Sequence, residues 1–460
     1  MKKLRLLIVI FLLTAVFLPF LLGFEIESRY RGILAEFEAA GYQLTSHVYE
    51  RGFYDSQAES VLSLPVNAPN TDARDISIAI KSQILHGPYS LSGWTGDLAQ
   101  ISSSFLYDDK PVFPEDMQAK IFTIIGFSGG GKTQIDLPKL SDPAELDKDL
   151  FMDFYGLSGD IDFNLVKGRI TLNLSGDGLK IYSPGSGRLE VGKLSLVSES
   201  VRGINDLMLG GGDMSVAYFK VMDESNQFSI DLDNLALSAF SSVDSGNVNM
   251  KASYRFDQLL AADERFGPAE LEMEIVSISA EVMARFQESV RDMQQQQLPP
   301  QQQGLAMMGV MMSALPAFLE QNPGFRINRF ELLTPQGQVS ATFSLAAQDM
   351  KVTDVSAAPL LIQKLVGDAS IQVPEPLVKQ ILMGISLQQA MNSIQNSDNA
   401  EEVDMVALKA NIEQLTTEQI EMVIRQGFVE RKGNMLLSNA NLKAGLLSVN
   451  GKMIPLQPLQ

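Results

Sequence analysis

The string Gly126-Phe-Ser-Gly-Gly-Gly131-Lys132-Thr133 matches the phosphate-loop pattern G-x-x-x-x-G-K-[ST] letter for letter. In a nucleotide site that pattern works because a helix begins at the lysine, so that its first amides and its dipole hold the phosphates. Here Thr133-Gln134-Ile135-Asp136-Leu137 alternates like a strand, Pro138 follows, and no apolar run ends in a magnesium-binding Asp. The same string contains Gly126-x-Ser128-x-Gly130, the spacing of a nucleophile elbow. An elbow also needs a helix after the serine and a histidine later in the chain. Both histidines, His47 and His86, come earlier. A glycine-rich hairpin turn accounts for the string with fewer requirements. A hydrolase using Ser128 or an acid with His86 is kept as the alternative reading.

Other chemistry is narrowed by composition. The chain has 460 residues and no cysteine, which removes thiolate catalysis, thiolate metal sites and disulfides. With two histidines, a zinc site built on imidazoles is nearly excluded, and no pair of acids stands out as an acid/base couple. The reading therefore assigns no catalytic residue, no metal and no cofactor. Lys and Arg number 36 against 55 Asp and Glu, a net charge of −19, which argues against nucleic acid and against an electrostatic grip on anionic lipid.

Three further features could act. His86-Gly87-Pro88 could present an imidazole, but it also fits a strand end where Gly takes an unusual φ and Pro stops the ladder. Arg51 could hold an anion, and a structural ion pair is the preferred reading. Met307, Met308, Met311, Met312, Leu315 and Phe318 form a soft apolar stripe in the charge-free run Gly304–Leu319. Such a stripe suits a core, an adaptable lipid or partner surface, or a second membrane segment, for which it is short and interrupted by Pro316.

What positions these groups begins at the N-terminus. Lys2, Lys3 and Arg5 precede Leu6–Phe24, which carries no charge. Nineteen helical residues at about 1.5 Å each reach roughly 28 Å, against a hydrocarbon core of ~30 Å. The basic flank predicts a cytoplasmic N-terminus with the remaining chain exported. A cleaved signal peptide fits less well, because the run is long and Leu21-Leu22-Gly23-Phe24-Glu25 is a poor cleavage site. Ile26, Tyr30, Ile33, Leu34 and Phe37 fall at helical spacing and predict a helix that continues out of the membrane, stops at Gly41 and packs its apolar stripe on the globular part.

The strands Ala58–Leu64 and Ile76–Leu85 follow. The combination of an anchor, Tyr49-x-Arg51-Gly52-Phe53-Tyr54-x-Ser56 and a strand ending in His86-Gly87-Pro88 resembles the YdgA family of bacterial inner-membrane-anchored proteins of unknown function. The resemblance implies an exported side facing the periplasm and implies no activity.

From Phe105 to Ile278 short runs such as Ile161–Val166, Ile170–Leu174 and Val248–Phe256 alternate apolar with polar between tight turns, the pattern of an antiparallel meander. Helices are expected over Ala280–Gln297, Gly304–Leu319, Pro359–Ala369 and Glu375–Ser393, with a loop over Gln294–Gln303 and a hairpin at Pro335-Gln336-Gly337. A capping box at Thr416 and Gln419 is expected to start a helix over Ile420–Gln426. A final hairpin would turn at Asn450-Gly451. The predicted fold is α+β and β-rich: a long antiparallel meander partly covered by helices, after one N-terminal transmembrane helix. The predicted parts are 1–24, the anchor; 25–278, helix then meander; 279–325, a helical hairpin insertion; and 326–460, a mixed remainder of the same exported region. The expected function is non-enzymatic binding of a lipid or an envelope partner through an apolar sheet face, at the bacterial inner membrane. A homodimer is left open.

Overall fold

Period-two alternation dictates the architecture of the computed structural model. It describes residues 18–20, 22–28, 30–31, 43–66, 74–90, 93–94, 96–107, 110–113, 117, 119–141, 151–164, 166–183, 187–223, 229–261, 263–295, 300–351, 354, 358–395 and 405–454. The chain forms two compact units: residues up to Gln227 with Ala284–Ser313, and Phe228–Met283 with Ala314–Gln460.

The first unit is a meander. Its strands are β1 (Gln43–Arg51), β2 (Asp55–Val66), β3 (Arg74–His86), β4 (Ala99–Tyr107), β5 (Lys120–Ile125), β6 (Gly130–Leu137), β7 (Leu157–Asn164), β8 (Arg169–Gly176), β9 (Leu194–Arg202) and β10 (Met208–Met222). Each pairs antiparallel with the one before it. A side strip of Leu140–Ser141, Phe151–Phe154, Leu179–Ser183 and Gly187–Val191 joins the far half of β10. Residues 18–20, 22–28 and 30–31 are helical (α1). Ile26 of α1 closes a core with Ala58, Ile84, Leu98, Ala99, Ile101 and Ile125.

The second unit repeats the logic with β11 (Ser229–Asp244), β12 (Asn247–Phe256), β13 (Ala269–Ser279), β14 (Gly324–Thr334), β15 (Gly337–Ala347), β16 (Leu365–Pro374) and β17 (Met435–Lys443), each again antiparallel to the last. The helices after α1 are α2 (Ala280–Gln295), α3 (Pro300–Leu319), α4 (Ala358–Gln363), α5 (Glu375–Gln395) and α6 (Met405–Gln426). The unit boundary at Phe228 falls within the stretch 25–278, and α2 and α3 are each divided between the units.

Several expectations are corrected. The run Pro359–Ala369 is helical only to Gln363. From Leu365 it is strand, because residues 367–372 find ladders on both sides, in β15 and β17. Thr416 does not cap a helix: it lies in the middle of α6, where its side chain is buried. No Gly or Pro interrupts Met405–Gln426, and Gly427 at φ 76° ends the helix. Gln301–Gln303 belong to α3, whose first residue Pro300 brings a helical φ and needs no amide partner. The C-terminal run from Leu442 also holds an extra turn at Ala444-Gly445, ahead of Asn450-Gly451.

Among the described residues no helix is long and apolar enough to cross a membrane. Residues 1–17 of the expected anchor, and Ile33, Leu34 and Phe37, lie outside the described residues. The end of the uncharged run is an addition to the fold: Pro19 and Gly23 are buried in protein.

Candidate functional site

The residues that carried the family resemblance converge on α1. Gly52 N–H donates to the Asp55 carbonyl at 2.8 Å and closes the β1–β2 turn, which points Arg51 and Ser56 to one face. β3 brings His86 beside them; its N–H donates to the Tyr54 carbonyl at 2.8 Å, and its Nε2 lies 2.7 Å from Ser56 Oγ. His86 is 0% exposed and Ser56 1%. Gly87 N–H then donates to the Leu98 carbonyl, and a Cβ on Gly87 would collide with the Asp97 carbonyl. Pro88 follows in a cis peptide.

α1 lies over this floor. A Cβ on Gly23 would come within 2.6 Å of His86 Cε1, so only glycine lets the helix backbone settle on the imidazole. Glu27 accepts from Arg51 at 2.8 Å and from Arg31 at 2.9 Å. The Arg51 guanidinium stacks 3.6 Å from the Phe24 ring centroid, a cation–π contact. Phe20 stacks on Phe53 at 5.4 Å, and Tyr30 meets Tyr49 at 5.7 Å.

Burial pushes His86 below the ordinary imidazole range, and the nearby Phe53 and Pro19 backbone and Asp55 offset this only in part. Burial likewise raises Tyr49. The Tyr49 hydroxyl and His86 Nδ1 are buried without a hydrogen-bond partner among the described residues. Nucleophilic catalysis needs a serine, a base, a group orienting the base and room for substrate. The Ser56–His86 pair has the first two. Among the described residues no carboxylate bonds Nδ1, and α1 covers the imidazole at Gly23. The pair is a polar floor under a helix.

The phosphate-loop string is a hairpin turn. Gly126 N–H donates to the Gly130 carbonyl at 2.8 Å, Gly129 takes φ 77°, and strand β6 follows in place of a helix. Lys132 faces Asp160 and Asp162 at 3.6 and 3.7 Å, and Thr133 bonds Thr123 at 2.8 Å. Ser128 sits in that turn, and the partner of His86 is Ser56 instead. The His47 side chain lies outside the described residues. No cluster of His, Asp or Glu suited to a metal occurs among the described residues.

Two apolar features lie elsewhere. On α3, Leu305, Met308, Met311 and Met312 are each more than half exposed, while Met307, Leu315 and Phe318 are half-buried. In the second unit Val378 and Leu382 of α5, Ile420 and Val423 of α6, Val429, and Leu436 of the sheet line an apolar cavity of about 350 Å³. No sequence motif marks that cavity, because its wall is spread over some sixty residues of chain.

The fold and this floor define a β-rich protein whose N-terminal helix is clamped to a large meander. The chain belongs to a bacterial family of unknown function, DUF945, whose model matches residues 1–457. No curated protein and no solved structure matches it.

Proposed function

We propose that this is a non-enzymatic, YdgA-like envelope protein, held at the bacterial inner membrane by its N-terminal apolar run with the rest of the chain in the periplasm, and that it binds a lipid or another apolar envelope ligand. The observation that carries the binding is the α5–α6 cavity. Its volume falls at the lower end of small-ligand sites, its wall is almost wholly apolar, and its floor is the sheet residue Leu436. The exposed methionines of α3 form a second, softer apolar surface. An uncleaved anchor is supported by α1 itself, since cleavage near Gly23 would remove Pro19, Phe20 and Gly23 from the clamp.

Native mass spectrometry of the full chain, extracted in mild detergent, tests this. A lipid-sized mass should be retained, and should be lost from Val378→Trp, which fills the cavity, while Met308→Glu with Met312→Glu leaves it in place. Loss only from the α3 variant would move the site to α3. A clean apo mass throughout would overturn ligand binding and leave a partner-docking role.

A further inference from the structure

The two ends of the first unit's sheet differ in chemistry. Strand register places five connections at one end: the β1–β2 turn at Phe53-Tyr54, the β3–β4 connection after His86, the β5–β6 turn at Phe127, the β7–β8 turn at Val166 and the β9–β10 turn at Ile204. Phe127 is 51% exposed, Val166 79% and Ile204 47%. The described connections at the opposite end present Lys110, Lys139, Asp177 and Lys193 to solvent, and their exposed aromatics, Tyr155 and Tyr182, carry a polar hydroxyl and are little more than a third exposed.

α1 runs inward from the apolar end. Phe20 meets Phe53 at the turn tip, Gly23 meets His86, Glu27 meets Arg51, and Tyr30 meets Tyr49 further back along β1. Residues 20 to 30 thus advance about 15 Å away from the tips. Residue 18 therefore stands at the tip end, where it joins a 17-residue N-terminal stretch whose last twelve residues, Leu6–Phe17, are uncharged. The α1 core includes Ile125, and Phe163 packs against that core, so the strands that end in the turns of Phe127 and Val166 reach the packing of α1. Lys167 and Arg202 stand at this end against Asp55, Asp97 and Asp206, while Arg51 is paired with Glu27 and Arg169 with Glu199, so this end carries no excess of base and its apolar tips set its preference.

We propose that this end of the first unit rests in the interfacial layer of a bilayer, with Phe127 and Val166 inserted at headgroup level around the point where the chain enters the membrane. Exposed apolar tips beside the point where an uncharged run joins the unit suit that layer. The right-handed twist of the sheet turns later strand ends away, so the contact is centred on α1 and weakens toward Ile204. The proposal rests on the anchor reading of the N-terminal run.

The chain has no cysteine, so single labels are unambiguous. Phe127→Cys, Val166→Cys and, at the opposite end, Lys193→Cys would be labelled with an environment-sensitive fluorophore. Each full-length variant would be reconstituted into vesicles of phosphatidylethanolamine and phosphatidylglycerol. Nitroxide-bearing lipid should quench the labels at 127 and 166 several-fold more than the label at 193. Equal, weak quenching at all three positions in protein that still floats with the vesicles would overturn the docking and keep the anchor. Failure to float would overturn the anchor reading and the docking with it.

Discussion

His86 is where a single side chain can be made to report on the fold. Its imidazole is sealed beneath Gly23, and burial lowers its pKa from 6.5. Below 6.5 the unfolded chain then holds more protons than the folded one, so stability must rise with pH across the window below 6.5 and fall on acidification. Urea denaturation from neutral to acidic pH should show this slope, and His86→Gln should flatten it. An unchanged slope in the variant would assign the acid sensitivity to other groups. The residues of this floor were marked by the family resemblance, and from the sequence itself only His86-Gly87-Pro88 read as a strand end; that Ser56, not Ser128, would meet His86 was not legible, because strand pairing alone brings them together. Its roof was not legible either. Pro19, Gly23 and Glu27 lie in or beside an apolar run whose hydropathy reads as lipid-facing, and nothing local distinguishes packing on protein from packing on lipid. Glu27 four residues before Arg31 was the one available signal.

At the scale of elements, alternation was a reliable guide wherever a strand had one wet face, and it failed where context overrode a local pattern. Thr416-x-x-Gln419 has the letters of a capping box, yet a cap requires a chain that is not already helical, and α6 begins eleven residues earlier. Leu365–Pro374 follows a short helix without a break and becomes strand because ladders wait on both sides. The phosphate-loop letters failed for the same reason: a glycine-rich turn serves a hairpin as well as a phosphate, and only the next element decides. Lys132 then has a surface role. Its pairs with Asp160 and Asp162 are about half exposed, so Lys132→Ala should cost no more than about 1 kcal/mol in thermal or chemical denaturation. A phosphate-loop lysine would instead show as lost nucleotide binding, so ATP titration of the wild-type chain by calorimetry should give no heat of binding.

For the whole molecule, the consequence of α1 is that the N-terminal apolar run and the first unit share residues. A boundary drawn at Phe24 from hydropathy alone cuts through the clamp, since Phe20, Gly23 and Phe24 hold Phe53, His86 and Arg51 from the side removed. Truncation to Glu25–Gln460 should therefore uncover His86, leave Arg51 without its aromatic face and shorten α1 by its first turns. The loss of buried contacts of this kind is about 2–4 kcal/mol, enough to lower the melting temperature of the first unit by several degrees. A chain starting at Phe17 keeps every one of these contacts and should melt close to the full-length protein. The histidine resonance of the two truncations separates the cases further. His86 should titrate near the ordinary imidazole value in the shorter chain and remain depressed in the longer one. If both truncations melt together and His86 stays depressed in each, then residues beyond Glu25 alone seal the site, and the run before them is a tether that the fold does not need.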